Sequence, residues 1–162
     1  IAALSTHTNP AEVMQARLLL EPGIVRIAAL QATAANIERM QLCSKRKDAA
    51  VDWLTYERWD GAFHQAVAEG AHNTLLLTLF NALNTVREAT EWGRLRKSRL
   101  TDAHRQRSSR QHLAIVDAII ARDMDQAETA MRDHLKSVHK ALLGSDYEVD
   151  EVVAIDDARV TG

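Results

Sequence analysis

The dipeptide Arg122-Asp123 constrains this chain more than any other feature. Before it, Ile115, Val116, Ile119 and Ile120 recur at helical spacing; after it, Ala127, Ala130, Met131 and Val138 do the same. Asp123 reads as the N-cap of the second helix, with Gln126 as its box partner. A turn this short makes the two helices, about 101–121 and 124–143, pack antiparallel. The chain is expected to be all-α, with about six to seven helices. Two prolines and six glycines in 162 residues leave long stretches free to be helical.

This hairpin sets two histidines at one height. His112 lies 11 residues before Asp123 and His134 lies 11 after it. At ~1.5 Å per residue both stand about 16 Å from the turn. Each shares a face with apolar residues, so two imidazoles should meet between the helices. A buried imidazole pair without partners is costly, and a metal ion that binds both neutral rings removes the cost. Asp60 and His64, in Trp59-Asp60-Gly61-Ala62-Phe63-His64, stand one helical turn apart on one face. They complete a candidate metal set of Asp60, His64, His112 and His134. Such a set suits zinc first, with nickel or another first-row divalent ion as alternatives. His7, His72, His104 and His139 show no comparable coincidence.

Other boundaries follow from caps and breakers. Residues 1–8 read as a linker and 9–144 as one domain. Residues 145–162, with six acids against one Arg, read as a mobile tail. Asn9-Pro10-Ala11-Glu12 starts a helix that should run to about Leu20, with Pro22 breaking it or opening a second, Ile24 to about Ala32. A stretch over 34–46 turns Ile37, Met40 and Leu42 inward and sets Lys45, Arg46 and Lys47 at its end, where cations suit the dipole. Asp48 is expected to cap a helix over about 49–69, with Val51, Leu54, Trp59, Phe63 and Val67 as its larger apolar members. Asn73 should cap another over about 74–93, carrying Leu75, Leu76, Leu79, Leu83 and Val86. The basic segment 94–110 reads as a solvated face. Trp53, Trp59 and Trp92 read as core or dimer contacts.

A net charge of −2 gives no global push toward nucleic acid or membranes. The single cysteine, Cys43, excludes an internal disulfide and fits a reducing, cytoplasmic setting. No apolar run reaches the ~20 residues of a membrane span.

Several stretches carry a resemblance: Glu12-Val13-x-x-x-Arg17-x-x-Leu20-Glu21-Pro22, Asp60-x-x-Phe63-His64, Asn73-x-x-Leu76, His112-x-x-Ile115 and Asp123-x-x-x-Ala127-x-x-x-Met131-x-x-His134-Leu135. In order and spacing these resemble the FadR-type C-terminal ligand-binding (FCD) domain of GntR-type bacterial transcription regulators, over roughly residues 10–143. The resemblance implies an antiparallel helical bundle, a homodimer and an upstream winged-helix DNA-binding domain. The start at Ile1 rather than Met fits such an upstream segment. In the metal-binding branch of that family an Asp and three His hold the ion, and they carry over onto Asp60, His64, His112 and His134. Gln111 departs from the pattern, standing where an acid commonly precedes the histidine, which should be felt behind the ligands rather than at the metal.

An octahedral ion with four protein ligands leaves two positions for water or a carboxylate, so a small organic acid is the expected effector. Arg17, which matches the family's recurring Arg, is the expected partner of its free end, the alternative being an exposed Arg paired with Glu21 four residues on. Asn73 is a candidate ligand contact, with helix capping as its other role. The expected function is effector sensing, without catalysis. The alternative is a metal-dependent hydrolase or lyase acting on a small carboxylate, which would need a general base beside the metal. The one Glu-x-x-His, Glu69 to His72, runs through Gly70 at a helix end. A third reading makes the ion itself the signal.

Overall fold

The computed structural model describes residues 7–88 and 101–144. They form six helices: α1 Pro10–Gln31, α2 Ala34–Asp48, α3 Trp53–Gly70, α4 Thr74–Glu88, α5 Asp102–Ile120 and α6 Met124–Leu143. There is no strand among the described residues. Residues 1–6, the 89–100 connector with Trp92, and the 145–162 tail lie outside them.

The α5–α6 hairpin is as the sequence predicts. Ala121 ends α5, and Arg122 turns left-handed at φ 59. The amide of Asp123 donates to Ala118 O at 3.0 Å and that of Arg122 to Ile119 O at 3.1 Å. These two bonds satisfy the last carbonyls of α5 in a Schellman turn. Asp123 Oδ1 then accepts from Gln126 N at 2.9 Å and starts α6. The Arg122 guanidinium reaches across to Ala29 O and Ala32 O, tying the end of α1 to this turn.

α1 departs from expectation, being one continuous helix with Pro22 inside it. Its start is the predicted box: Asn9 Oδ1 accepts from Glu12 N at 3.0 Å, and the Glu12 carboxylate accepts from Asn9 N. An internal proline costs roughly 3 kcal/mol through one lost hydrogen bond and a push on the carbonyl four residues back. Burial on both sides of it offsets that cost. Val13, Met14 and Leu18 precede Pro22 and Ile24, Val25, Ala28 and Ala29 follow it, all buried. These residues pack α1 along α6 and onto α3 and α4. Fully burying one such aliphatic side chain is worth about 1.5–3 kcal/mol, so a few outweigh the proline.

α2 runs two residues further than predicted, and Asp48 ends it rather than capping α3. The cap of α3 is Asp52, whose carboxylate accepts from Thr55 N at 2.8 Å. Val51 and Leu54, expected inside, flank this cap at 96% and 77% exposure, whereas Phe63 and Val67 are core. Leu42 is also exposed, and Lys47, expected at a helix end facing the dipole, is fully buried. On α4, Phe80 and Val86 face the core while Leu75 and Leu79 stay exposed. Among the described residues no helix is long and apolar enough to cross a membrane.

Candidate metal centre

Asp60 and His64 come from α3, His112 from α5 and His134 from α6, and all four are buried. The spacing argument holds: His112 and His134 have ring centroids 4.7 Å apart. His64 joins them, 5.4 Å from His112 and 5.2 Å from His134. One nitrogen from each ring lies within 4.8 Å of the other two. His64 Nε2 and His134 Nε2 face each other at 3.2 Å. Asp60 stands beside this trio rather than inside it. Its Oδ1 is 3.6 Å from His112 Nε2, and its Oδ2 is drawn 3.5 Å from Arg87 Nη1 on α4. Phe63 stacks flat on the His112 ring at 3.8 Å and fixes its plane.

Each ring has a different neighbour behind its Nδ1. His64 Nδ1 lies 2.7 Å from Glu21 Oε2, close but out of line for a straight hydrogen bond. His134 Nδ1 lies 3.2 Å from Gln111 Oε1. His112 Nδ1 lies 3.2 Å from Lys47 Nζ, which also donates to Ser108 Oγ at 2.8 Å. Gln111 thus stands behind the His134 ring.

Electrostatics keep the rings neutral. Burial pushes His112 well below the usual imidazole range, with Lys47 and His134 adding to the shift and Asp60 opposing it. Burial does the same to His134, with His64 adding. Burial also lowers His64, against the pull of Glu21. Burial pushes the Glu21 carboxyl up, but Arg17 and His64 outweigh it and hold the group ionised, far below the usual range.

This arrangement suits a divalent cation. Oxygens stand behind Nδ1 of His64 and of His134, which favours a proton there, and the two Nε2 atoms face one another at 3.2 Å, where a cation could take both lone pairs. His112 differs: with the donor Lys47 Nζ at its Nδ1, the neutral ring carries its proton on Nε2, 3.6 Å from Asp60 Oδ1, and a cation bound there would displace it. Neutral imidazoles whose outer nitrogens donate to carboxylate or amide oxygens are the usual metal-binding form. A carboxylate 3.6 Å from one of them adds a hard donor.

The two expected ligand contacts fare differently. Arg17 is buried on α1, with Nε donating to Glu21 Oε1 at 2.5 Å and Nη1 lacking any partner. It stands one link from the cluster, through Glu21. Asn73 is exposed, and its Oδ1 accepts from Leu76 N at 3.0 Å as the cap of α4. Sequence reading missed Glu21, Lys47 and Arg87 as neighbours of the centre. The Arg17–Glu21 spacing of four was a visible signal for the first.

The FCD domain family matches residues 12–137 of this chain. The chain belongs to the FCD domain family. It is 35% identical over 146 residues to the Uxu operon transcriptional regulator of Escherichia coli K12, covering 88% of this chain and 57% of that protein. It is 34% identical over 140 residues to the transcriptional repressor NanR of Cronobacter sakazakii, covering 83% and 52%. It is 33% identical over 150 residues to the transcriptional regulator LutR of Bacillus subtilis, covering 88% and 66%. E. coli McbR/YncC has a similar fold, with a TM-score of 0.72 at 16% identity, over 82% of this chain and 63% of that one. The chain spans about half to two thirds of the length of these FCD relatives. They are regulators of transcription, and the resemblance to the FCD family read from the sequence is borne out.

Proposed function

We propose that this FCD domain is the effector-sensing and dimerisation part of a GntR/FadR-type transcription regulator. In this reading it binds a divalent metal ion and a small organic acid, and an N-terminal DNA-binding domain responds. The observation that carries it is the buried trio of imidazoles, each pushed toward the neutral form by burial, with two Nε2 atoms face to face at 3.2 Å. His64, His112 and His134 would hold the ion, with Asp60 turning from Arg87 to join them. The ion supplies a positive centre that attracts carboxylate. Arg17 offers a second one: its Nη1 is a buried donor without a hydrogen-bond partner that a carboxylate could take. The relatives support a regulator, and a homodimer would let a shift in the bundle change the spacing of two DNA-binding domains.

Elemental analysis of the purified chain, followed by a thermal-shift series of small carboxylates with and without zinc, tests this reading. Expected are stoichiometric zinc or nickel and a melting temperature raised by an acid only when metal is present. Arg17→Ala should spare the metal and weaken the acid at least tenfold by calorimetry. Absence of metal binding together with acid binding unaffected by Arg17→Ala would overturn the proposal.

A further inference from the structure

We propose that Glu21 is the positioning residue joining the two halves of this site, one carboxylate orienting both His64 and Arg17. The proposal rests on the metal reading above but has its own test. Glu21 sits on α1, is buried, and spends each oxygen on a different partner. Oε1 takes Arg17 Nε at 2.5 Å within the helix, and Oε2 faces His64 Nδ1 at 2.7 Å across to α3.

Each contact has a definite consequence. A carboxylate facing Nδ1 puts the ring proton there and leaves Nε2 bare, toward His134. A carboxylate that accepts from Nε fixes the guanidinium plane and leaves Nη1 without a partner. Loss of the carboxylate would release both. A glutamine keeps the volume but has one oxygen, so it can serve one partner and must turn an NH2 donor toward the other. Arg17 carries donors only, and His64 then competes with it for the single acceptor. The other two rings are backed by Gln111 and by Lys47, whereas Glu21 backs His64 and also holds Arg17. Glu21 is thus the point where metal occupancy and the acid-binding guanidinium are mechanically linked.

The experiment compares the wild-type chain with Glu21→Gln, both stripped by chelator, in two measurements. Side-chain nitrogen NMR of the histidines reads the His64 tautomer and the Arg17 Nε–H resonance. Competition against a chromophoric chelator reads affinity for zinc alone. Expected in the wild type are an Nδ1–H tautomer at His64 and a slowly exchanging Arg17 Nε–H. Expected in Glu21→Gln are loss of at least one of these signatures and zinc affinity lower by about 10–100-fold. A wild-type His64 protonated on Nε2 overturns the proposal, as does a folded Glu21→Gln with zinc affinity within twofold of wild type. If the wild type binds no zinc, the metal reading fails, and the tautomer still decides whether Glu21 orients His64. If Glu21→Gln does not fold, the wild-type spectrum decides alone.

Discussion

Buried neutral histidines make the metal-free protein sensitive to mild acid. The perturbation is a shift from pH 7.5 to 5.5 after chelator treatment. His112 and His134 are both held well below their ordinary 6.5. In the unfolded chain each titrates at the ordinary value. The folded state keeps its rings bare while the unfolded state takes up protons, so stability is full above pH 6.5 and falls as pH drops below it. For one such ring the loss over this interval is about 1.4 kcal/mol, and for the two about 2.7 kcal/mol. A typical domain has only about 5–15 kcal/mol to lose. In a chain of this size the melting temperature should fall by about 5–10 °C. Ordinary carboxylates titrate below this window, and burial lowers His64 and His139 as well, which adds to the loss in the same direction. Differential scanning calorimetry at half-unit pH steps measures it, and His134→Asn should flatten the slope by about half. A melting temperature constant between pH 7.5 and 5.5 would refute the argument that burial keeps these rings neutral.

Three further outcomes follow from the geometry. His134→Ala should abolish most metal binding and lower the melting temperature, since it removes one of two facing nitrogens and leaves a void in the core; wild-type metal content in that variant would take His134 out of the ligand set. Gly61→Ala gains about 1 kcal/mol in helix propensity. Its Cβ would stand 2.5 Å from Arg87 Nη2 and force that guanidinium off Asp60; a melting temperature raised by the full propensity gain would show that Arg87 is not held there. Asp123→Ala removes the cap of α6 and should cost about 1 kcal/mol, read as a midpoint shift in urea, which an unchanged midpoint would contradict.

The hairpin and its two histidines were legible because two local signals agreed there. Apolar residues kept a helical period on both sides, and the turn was too short for any other packing. Asp60 and His64 were legible for the same reason, being one turn apart. The failures share a different cause. Pro22 obeys a local rule that tertiary burial overrides, and nothing near it in sequence announces α6. Asp48 and Asp52 are both competent caps, and the choice depends on how far α2 continues. Lys47 looks like a surface cation until Ser108 and His112, 61 and 65 residues later, close over it. Glu21 and Arg87 are likewise charged residues whose burial is decided by partners on other helices. Patterns within one helix were readable, while charge burial between helices was not.

The three imidazoles are buried, with Phe63 flat against one ring. A solute cannot diffuse straight to such a place. It must wait until the surrounding helices part for an instant, an event of the microsecond-to-second class. Uptake and escape would then share one clock, set by how often the protein breathes rather than by how much solute surrounds it. At high zinc the observed loading rate should therefore level off instead of climbing in proportion.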